Sequence, residues 1–250
     1  MLSRQWLQAF VPVGVISGPS QWMATGAGIL FLEHDLLWLV TARHVVLDAG
    51  KERVAALLNK SGGSVLVLQL ADIHRSSGLS WLEDEPHDLV ATPIPVAPDL
   101  AVKALTRKEC IPLREVVPSM PAYTVGCPYG VAGLDPTKPS PLVLGGVVSG
   151  TSEQKGVIFT SAPTLPGNSG GPLIVCRNPL CSAGGLALGV PSALLAGVML
   201  ATALVTDPNQ QAGMPPLHLG VARSSDAVLD LLLSENGKQL AERLRSSSKN

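Results

Sequence analysis

Thr160-Ser161-Ala162-Pro163-Thr164-Leu165-Pro166-Gly167-Asn168-Ser169-Gly170-Gly171-Pro172-Leu173 decides the reading of this chain. Gly167, Gly170 and Gly171 make a tight turn that presents one serine between apolar runs. Backbone amides can converge on a developing oxyanion where the chain turns sharply with no Cβ in the way, so the N–H groups of Gly167 and Ser169 are the expected donors. A serine hydroxyl is a poor nucleophile near neutral pH and needs a histidine to take its proton and a carboxylate to orient that histidine. Both occur upstream. Val40-Thr41-Ala42-Arg43-His44-Val45-Val46 puts a histidine at the end of an apolar run, and Pro86-His87-Asp88-Leu89-Val90-Ala91 puts an aspartate at the start of another.

His44 and Asp88 have rivals. His34 sits in a polar hairpin turn between Glu33 and Asp35 and reads as solvated, and His87 directly precedes the candidate aspartate, so its side chain cannot easily face the same way. Asp72 opens a polar loop and Asp84 lies in an acidic run, whereas Asp88 leads into an apolar strand and can be buried against a histidine. His74 and His218 carry no motif.

Composition bounds the remaining classes. The chain has 250 residues with a net charge of -1, and its cations are scattered, which argues against a nucleic-acid surface. With 25 glycines and 21 prolines between many short Val/Leu-rich runs, strands are the default reading. The four cysteines, Cys110, Cys127, Cys176 and Cys181, form no CxxC pair and no metal-ligand spacing, so no metal or cofactor is expected. Trp6 to Ile16 resembles a signal peptide but holds Gln8 and Pro12 and lacks a small-x-small cleavage site, so it reads as the first barrel strand. The Cys176 to Cys181 spacing could close a small disulfide loop, but without a secretion signal reduced thiols and a cytoplasmic location are the expectation. Leu186 to Val205 is apolar and long enough to span a membrane. Gly189, Pro191, Ser192 and Gly197 punctuate it, and the strand from Leu217 must return to the same barrel, so a span is not expected.

The runs Ala9 to Ile16, Thr25 to Phe31, Leu36 to Val40, Val54 to Leu58, Val65 to Leu70 and Leu89 to Val96 predict the strands of a first lobe, with Ala71 to Glu85 as a surface loop. Proline-punctuated sequence from Ala97 to Pro118 marks the lobe boundary. A second lobe takes Ala122 to Val125, Leu142 to Ser149, Val157 to Thr160, Leu173 to Cys176, Gly197 to Val205 and Leu217 to Ala222, with an apolar insertion from Arg177 to Leu195. Cap residues and helical spacing from Ser225 predict a C-terminal helix over about 225–245.

These residues resemble the trypsin-like serine peptidases that lack a disulfide-rich framework, and most closely the HtrA/Deg-type peptidase domain. Pro166 to Leu173 match that group's P-G-N-S-G-G-P-L letter for letter, Thr41 to Val46 its T-x-x-H-V-V, and Asp88 to Ala91 its D-L-A element. Gly26 to Ile29, Gly126-Cys127-Pro128, Gly146 to Ser149 and Leu219 to Ala222 match further pieces in the same order. The resemblance implies an all-β, chymotrypsin-like fold of two packed, antiparallel, six-stranded-type β-barrels with a C-terminal helix. It makes residues 1–250 a single domain, with an N-terminal barrel over about 1–108 and a C-terminal barrel over about 115–223. It also implies that His44, Asp88 and Ser169 form a triad in the cleft and cleave protein or peptide substrates through an acyl-enzyme. Only about a helix follows Ala222, so no PDZ module is expected.

The primary pocket is expected to be lined by Pro163, Thr164 and Leu165 and by Leu219, Gly220 and Val221. None is acidic, which disfavours basic residues ahead of the cleaved bond and favours small or medium apolar ones. Asn168, a neutral amide ahead of the serine, cannot pair with an inserted amino terminus. The oxyanion turn is therefore expected to be set by loop packing, alone, through a regulatory protein partner or through self-association. Two other readings compete. Gly167-x-Ser169-x-Gly171 followed by Asp207 and His218 also fits an α/β-hydrolase esterase, but that elbow needs a helix behind the serine where Gly170-Gly171-Pro172 and an apolar run favour a strand. A catalytically silent binding module on the same fold would carry a broken triad, and all three members are present.

Overall fold

Short Val/Leu-rich runs separated by glycine and proline turns fold here into two antiparallel sheets. The computed structural model describes residues 3–18, 21–130, 141–177, 192–205 and 217–247. A short helix, α1 (Arg4–Ala9), buries Trp6 and Ala9 and leads into the first sheet. That sheet contains β1 (Phe10–Gly18), β2 (Gln21–Glu33), β3 (Leu36–Ala42), β4 (Val54–Asn59), β5 (Val65–Gln69), β6 (Leu82–Asp84) and β7 (Leu89–Ile94), in the order β5-β4-β1-β2-β3-β7-β6. Helix α2 (Arg43–Ala49) joins β3 to β4, and helix α3 (Leu70–Ser77) joins β5 to β6.

The first lobe departs from the sequence expectation in two ways. It has seven strands, and its end strands β5 and β6 are not bonded to each other, so the sheet stays open where a six-stranded barrel was expected. The segment read as a loop begins as α3, which buries Leu70 and Ala71 and stops at Gly78, whose φ of 64° is the left-handed conformation that ends helices.

The second sheet is a closed six-stranded barrel. Its strands are β8 (Pro121–Gly126), β9 (Leu142–Ser152), β10 (Val157–Thr160), β11 (Pro172–Arg177), β12 (Ser192–Val205) and β13 (Leu217–Ser224), ordered β10-β13-β12-β11-β8-β9. Strand β12 begins at Ser192 rather than Gly197. Most of the apolar insertion, with Cys181, and Asp207 of the esterase reading lie outside the described residues. Between the sheets, Leu105 bridges to Phe31, and Arg107 binds both oxygens of Glu33, at 2.8 and 2.7 Å.

The single C-terminal helix expected is two, α4 (Ser225–Leu233) and α5 (Glu235–Ser247). Ser234 makes the break: its ψ of 160° leaves the helical region, and its Oγ accepts the N–H of Gly237 at 3.1 Å. A serine offering an N-cap inside an apolar pattern restarts the helix in a new direction.

Strand alternation sorts the core. On β11, Leu173 and Val175 point into the barrel with Ile158, Met199 and Ala222, while Ile174 joins a second cluster that holds Ile29, Trp38 and Leu39 of the first lobe. The run Leu-Ile-Val is apolar throughout because both of its faces are buried. The second cluster also takes in Val125, Leu195 and Val198 and reaches Val228, Leu231 and Leu232 of α4, so one core crosses the lobe junction.

All four tryptophans, at 6, 22, 38 and 81, lie in the first lobe, while Ile174 lies in the second. Ile174→Ala should lower stability by about 2–5 kcal/mol. Its urea transition should move to lower midpoint in tryptophan fluorescence and in far-UV circular dichroism alike. A fluorescence midpoint left in place while the dichroism midpoint falls would show that the shared core does not couple the lobes.

Candidate active site

The site begins where β3 ends. From Leu37 to Ala42 the strand is buried, and at Ala42, with a ψ of 138°, the chain turns directly into α2. The first amides of a helix have no partner within it, and an alanine at the cap position offers none. Asp88 supplies them from the neighbouring strand. Ala42 pairs with Leu89 in the β3–β7 ladder, so the residue after β3 meets the residue before β7. The Asp88 carbonyl accepts from Arg43 N at 2.9 Å, its Oδ1 accepts from His44 N at 3.0 Å, and its Oδ2 pairs with His44 Nδ1 at 2.7 Å. To reach all three groups Asp88 adopts a φ of 54°, a left-handed conformation that aspartate tolerates better than most residues.

The pair is about one-third exposed. The Asp88 hydrogen bond raises the His44 pKa above the ordinary imidazole value, against the lowering effect of burial. Burial pushes the Asp88 carboxyl up, but the hydrogen bond and charge of His44, with Arg43 nearby, outweigh it and hold the pKa below the usual carboxylate value. The raised histidine contributes stability that is lost as pH rises through its folded pKa, and the lowered aspartate contributes stability that is lost as pH falls through its own. The pair therefore stabilises the fold fully between roughly pH 4 and 6.5, the ordinary values of the two groups.

The rival residues are engaged elsewhere. His87 turns to Asp84, with Nδ1 2.7 Å from Oδ2, and Asp72 pairs with Arg75. His34 lies against Glu33, and His74 meets Thr92 Oγ1 at 2.7 Å and the edge of Trp81. The His218 side chain is outside the described residues. Arg43 bonds Glu83 at 2.9 Å, which fixes the residue next to His44 against β6.

Ser169 comes from the other lobe and docks on β2, next to the strand that leads into His44. Its carbonyl accepts the N–H of Ala27 in β2 at 2.8 Å, and the Ala27 carbonyl accepts the Thr41 hydroxyl at 2.6 Å. The approach is too close for side chains: a Cβ on Gly170, whose φ is 85°, would stand 2.0 Å from Ala27 O and 2.2 Å from Thr41 Oγ1. Gly167 has a φ of 98°, and a Cβ there would stand 2.1 Å from Cys127 O. Among the described residues the N–H groups of Gly167 and Ser169 have no acceptor, whereas Asn168 N bonds Leu165 O and Gly170 N bonds Met199 O. Asn168 is fully buried, and its Nδ2 donates to Pro163 O at 3.3 Å, which ties the turn to the segment ahead of it. The Ser169 hydroxyl donates to Leu200 O at 2.8 Å and forms no hydrogen bond with His44. Behind the serine the chain enters β11 and not a helix, contrary to what the esterase elbow requires.

Of the residues expected to line a pocket, Pro163 is exposed and Thr164 and Leu165 are half-buried. Gly220 lies beneath Thr164, with room for no Cβ: one would stand 2.3 Å from Thr164 Oγ1. Leu219 and Val221 alternate with Gly220 and so point to the other face of β13. Sequence reading missed two contributors on β12: Leu200, through its carbonyl, and Thr202, whose Oγ1 donates to Thr164 O at 2.9 Å. Neither could be picked out, because a backbone carbonyl has no sequence signal and Thr202 sits inside a uniformly apolar run. Among the described residues no group of three His, Cys, Asp or Glu could hold a metal ion, and no helix is long and apolar enough to cross a membrane.

Comparison with known proteins follows the same lines. The MamO protease domain from Magnetospirillum magneticum, in its apo form, superposes with a TM-score of 0.56 at 15% identity, covering 92% of this chain and 98% of that one. At that identity the likeness concerns the fold, a chymotrypsin-like arrangement of antiparallel sheets. Comparison with curated proteins gives no match. The family model of the trypsin-like peptidase domain matches residues 26–180, from the β2 glycines past Ser169. That span is more than half of the chain, and the protein belongs to the trypsin-like peptidase domain family.

Proposed function

We propose that this protein is a serine endopeptidase. Ser169 attacks the scissile carbonyl, His44 takes the serine proton and then delivers it to the leaving amine, and Asp88 holds the imidazole tautomer and stabilises the imidazolium. The tetrahedral oxyanion sits between the N–H groups of Gly167 and Ser169. Water, deprotonated by His44, then releases the acyl group from Ser169. The observation that carries this reading is the bonded His44–Asp88 couple together with a serine turn whose two amides have no acceptor among the described residues.

Beyond Val198, strand β12 loses its β11 partner, and its Leu200 to Thr202 edge runs past the serine with only β13 on its far side. An extended protein or peptide chain adds to this edge by main-chain hydrogen bonds. No carboxylate stands among Pro163, Thr164, Leu165 and Gly220, so the residue ahead of the cleaved bond is small to medium and uncharged. Among the described residues Cys110, Cys127 and Cys176 are free, which suits the cytoplasmic location expected from the sequence.

One observation favours a second reading, a silent binding module: the Ser169 hydroxyl is bonded to Leu200 O and not to His44. A fluorophosphonate probe separates the two. Labelling of wild-type protein at Ser169, with hydrolysis of an unbiased peptide library, supports the peptidase. Ser169→Ala should abolish both, with turnover falling on the order of 10⁴ to 10⁶ while the fold stays intact. Labelling that persists in the alanine variant would remove Ser169 from the reaction.

His44 must be neutral to accept a proton, so kcat/KM should rise with pH through a histidine value held up by Asp88. Asp88→Asn should move that inflection to lower pH and cut kcat by about 10⁴, as in other triads. An unmoved inflection would show that Asp88 does not set the base.

A further inference from the structure

Arg223 reaches from the second lobe to the peptide that carries Asp88. It stands on β13, where it pairs with Val157 of β10 and Val198 of β12, so its backbone is fixed on both sides within the barrel. Strand alternation turns its side chain away from the barrel interior that Ala222 fills. Its Nη1 donates to the Lys155 carbonyl in the turn between β9 and β10, and its Nε donates to the His87 carbonyl of the first lobe at 3.1 Å. Two carbonyls from two lobes thus share one planar guanidinium, a rigid set of donors that a lysine ammonium does not offer. Arg223 is half-buried, and the charges of Asp84 and Asp88 act on it.

That contact holds one of the two peptides that flank the Asp88 Cα. The φ of 54° between them is one that a residue with a side chain keeps only where its surroundings hold it. The Asp88–Leu89 peptide is held by Arg43 N on the Asp88 carbonyl at 2.9 Å and by the β7 ladder that begins at Leu89. The His87–Asp88 peptide is held at its nitrogen by the hairpin's own turn, Asp88 N to Glu85 O at 3.1 Å, and at its oxygen by Arg223, which among the described residues is the one donor to it. Together the two peptides fix the direction in which the Asp88 side chain leaves the backbone. We propose that Arg223 is a positioning residue: by holding the His87 carbonyl to the lobe that carries Ser169, it keeps the Asp88 carboxylate aimed at His44. Its effect on turnover rests on the peptidase reading, and its effect on the imidazole does not.

The charged groups around the couple are Arg43 and Asp48 on α2, Asp84 at the end of β6, and Arg223 itself. A guanidinium acting only as a nearby cation would disfavour the imidazolium, so its removal would raise the His44 pKa. One that aims the Asp88 carboxylate has the opposite sign, because the Asp88 bond is what raises that pKa. Arg223→Met keeps an aliphatic stem and removes every donor. The experiment is a nuclear magnetic resonance titration of the His44 imidazole in wild type and Arg223→Met, with peptide hydrolysis and fluorophosphonate labelling of Ser169 on the same samples. The His44 pKa should fall by about half a pH unit or more in the variant, a fraction of one charge-assisted hydrogen bond. Turnover should fall on the order of 10²-fold in kcat with KM within about threefold, since a misaimed base costs the transition state and not substrate binding. In an Asp88→Asn background the same substitution should lower kcat by less than about threefold, because no carboxylate is left to aim. Arg223→Lys serves if the methionine variant does not fold: one ammonium cannot span both carbonyls, so the His44 pKa should fall in the same direction. A His44 pKa unmoved or raised in the folded variant would overturn the role of Arg223 and leave the peptidase standing. A lowered pKa with neither labelling nor turnover in wild type would overturn the peptidase reading, with the hold of Arg223 on Asp88 upheld.

Discussion

A single backbone hydrogen bond, from Ala27 N in β2 to Ser169 O in the serine turn, joins the two halves of the site. Neither end can move alone. Ala27 is held by the Thr41 hydroxyl on its carbonyl, and Thr41 lies on the strand that runs into His44. The serine turn is held on its other side by Gly170 N to Met199 O and by Met199 N to Gly171 O. The approach of the two halves is therefore fixed by main-chain groups and the Thr41 hydroxyl. Other side chains enter by being absent: a Cβ on Gly170 would collide with Ala27 O, and one on Gly26 with the Val45 side chain.

The second constraint is the double duty of Asp88. Its carboxylate and carbonyl complete the open end of α2 and at the same time hold the imidazole that α2 carries. Helix capping and orientation of an imidazole are separate tasks, and one residue performs both here. Here the geometry of one follows from the other, because His44 lies in the first turn and its own amide is among the groups that need an acceptor. Glu83 extends the same arrangement outward through Arg43 and Lys51.

What the sequence made legible follows this division. The glycine turn around Ser169, the strand end at His44 and the aspartate opening an apolar strand are local patterns, and the structure brings His44 and Asp88 into contact. The six strands of the second lobe fall on short apolar runs between turns, and their closure into a barrel is what the resemblance implied, whereas their order in the sheet was not readable. Three further features were not readable. The open seam of the first lobe, between β5 and β6, has no local mark, and Leu70 to Ser77 is too short and polar a stretch to distinguish a helix from a loop by pattern alone. The break at Ser234 hides in an apolar helical period, since a serine there reads as a surface position until its hydroxyl is seen capping Gly237. The contributions of Leu200 and Thr202 depend on β12 passing the serine, a tertiary fact with no local mark.

The core that crosses the lobe junction bears on how the molecule comes into being. Its first-lobe members include Trp38 and Leu39, yet it is completed by Ile174 and Val198 and then by Val228, Leu231 and Leu232 near the far end of the chain. A ribosome delivers these residues in order, and domains generally fold as units once their parts are available. The strand that leads into His44 thus emerges long before the apolar surface it rests on. The core beneath the proposed site is complete only once α4 is present.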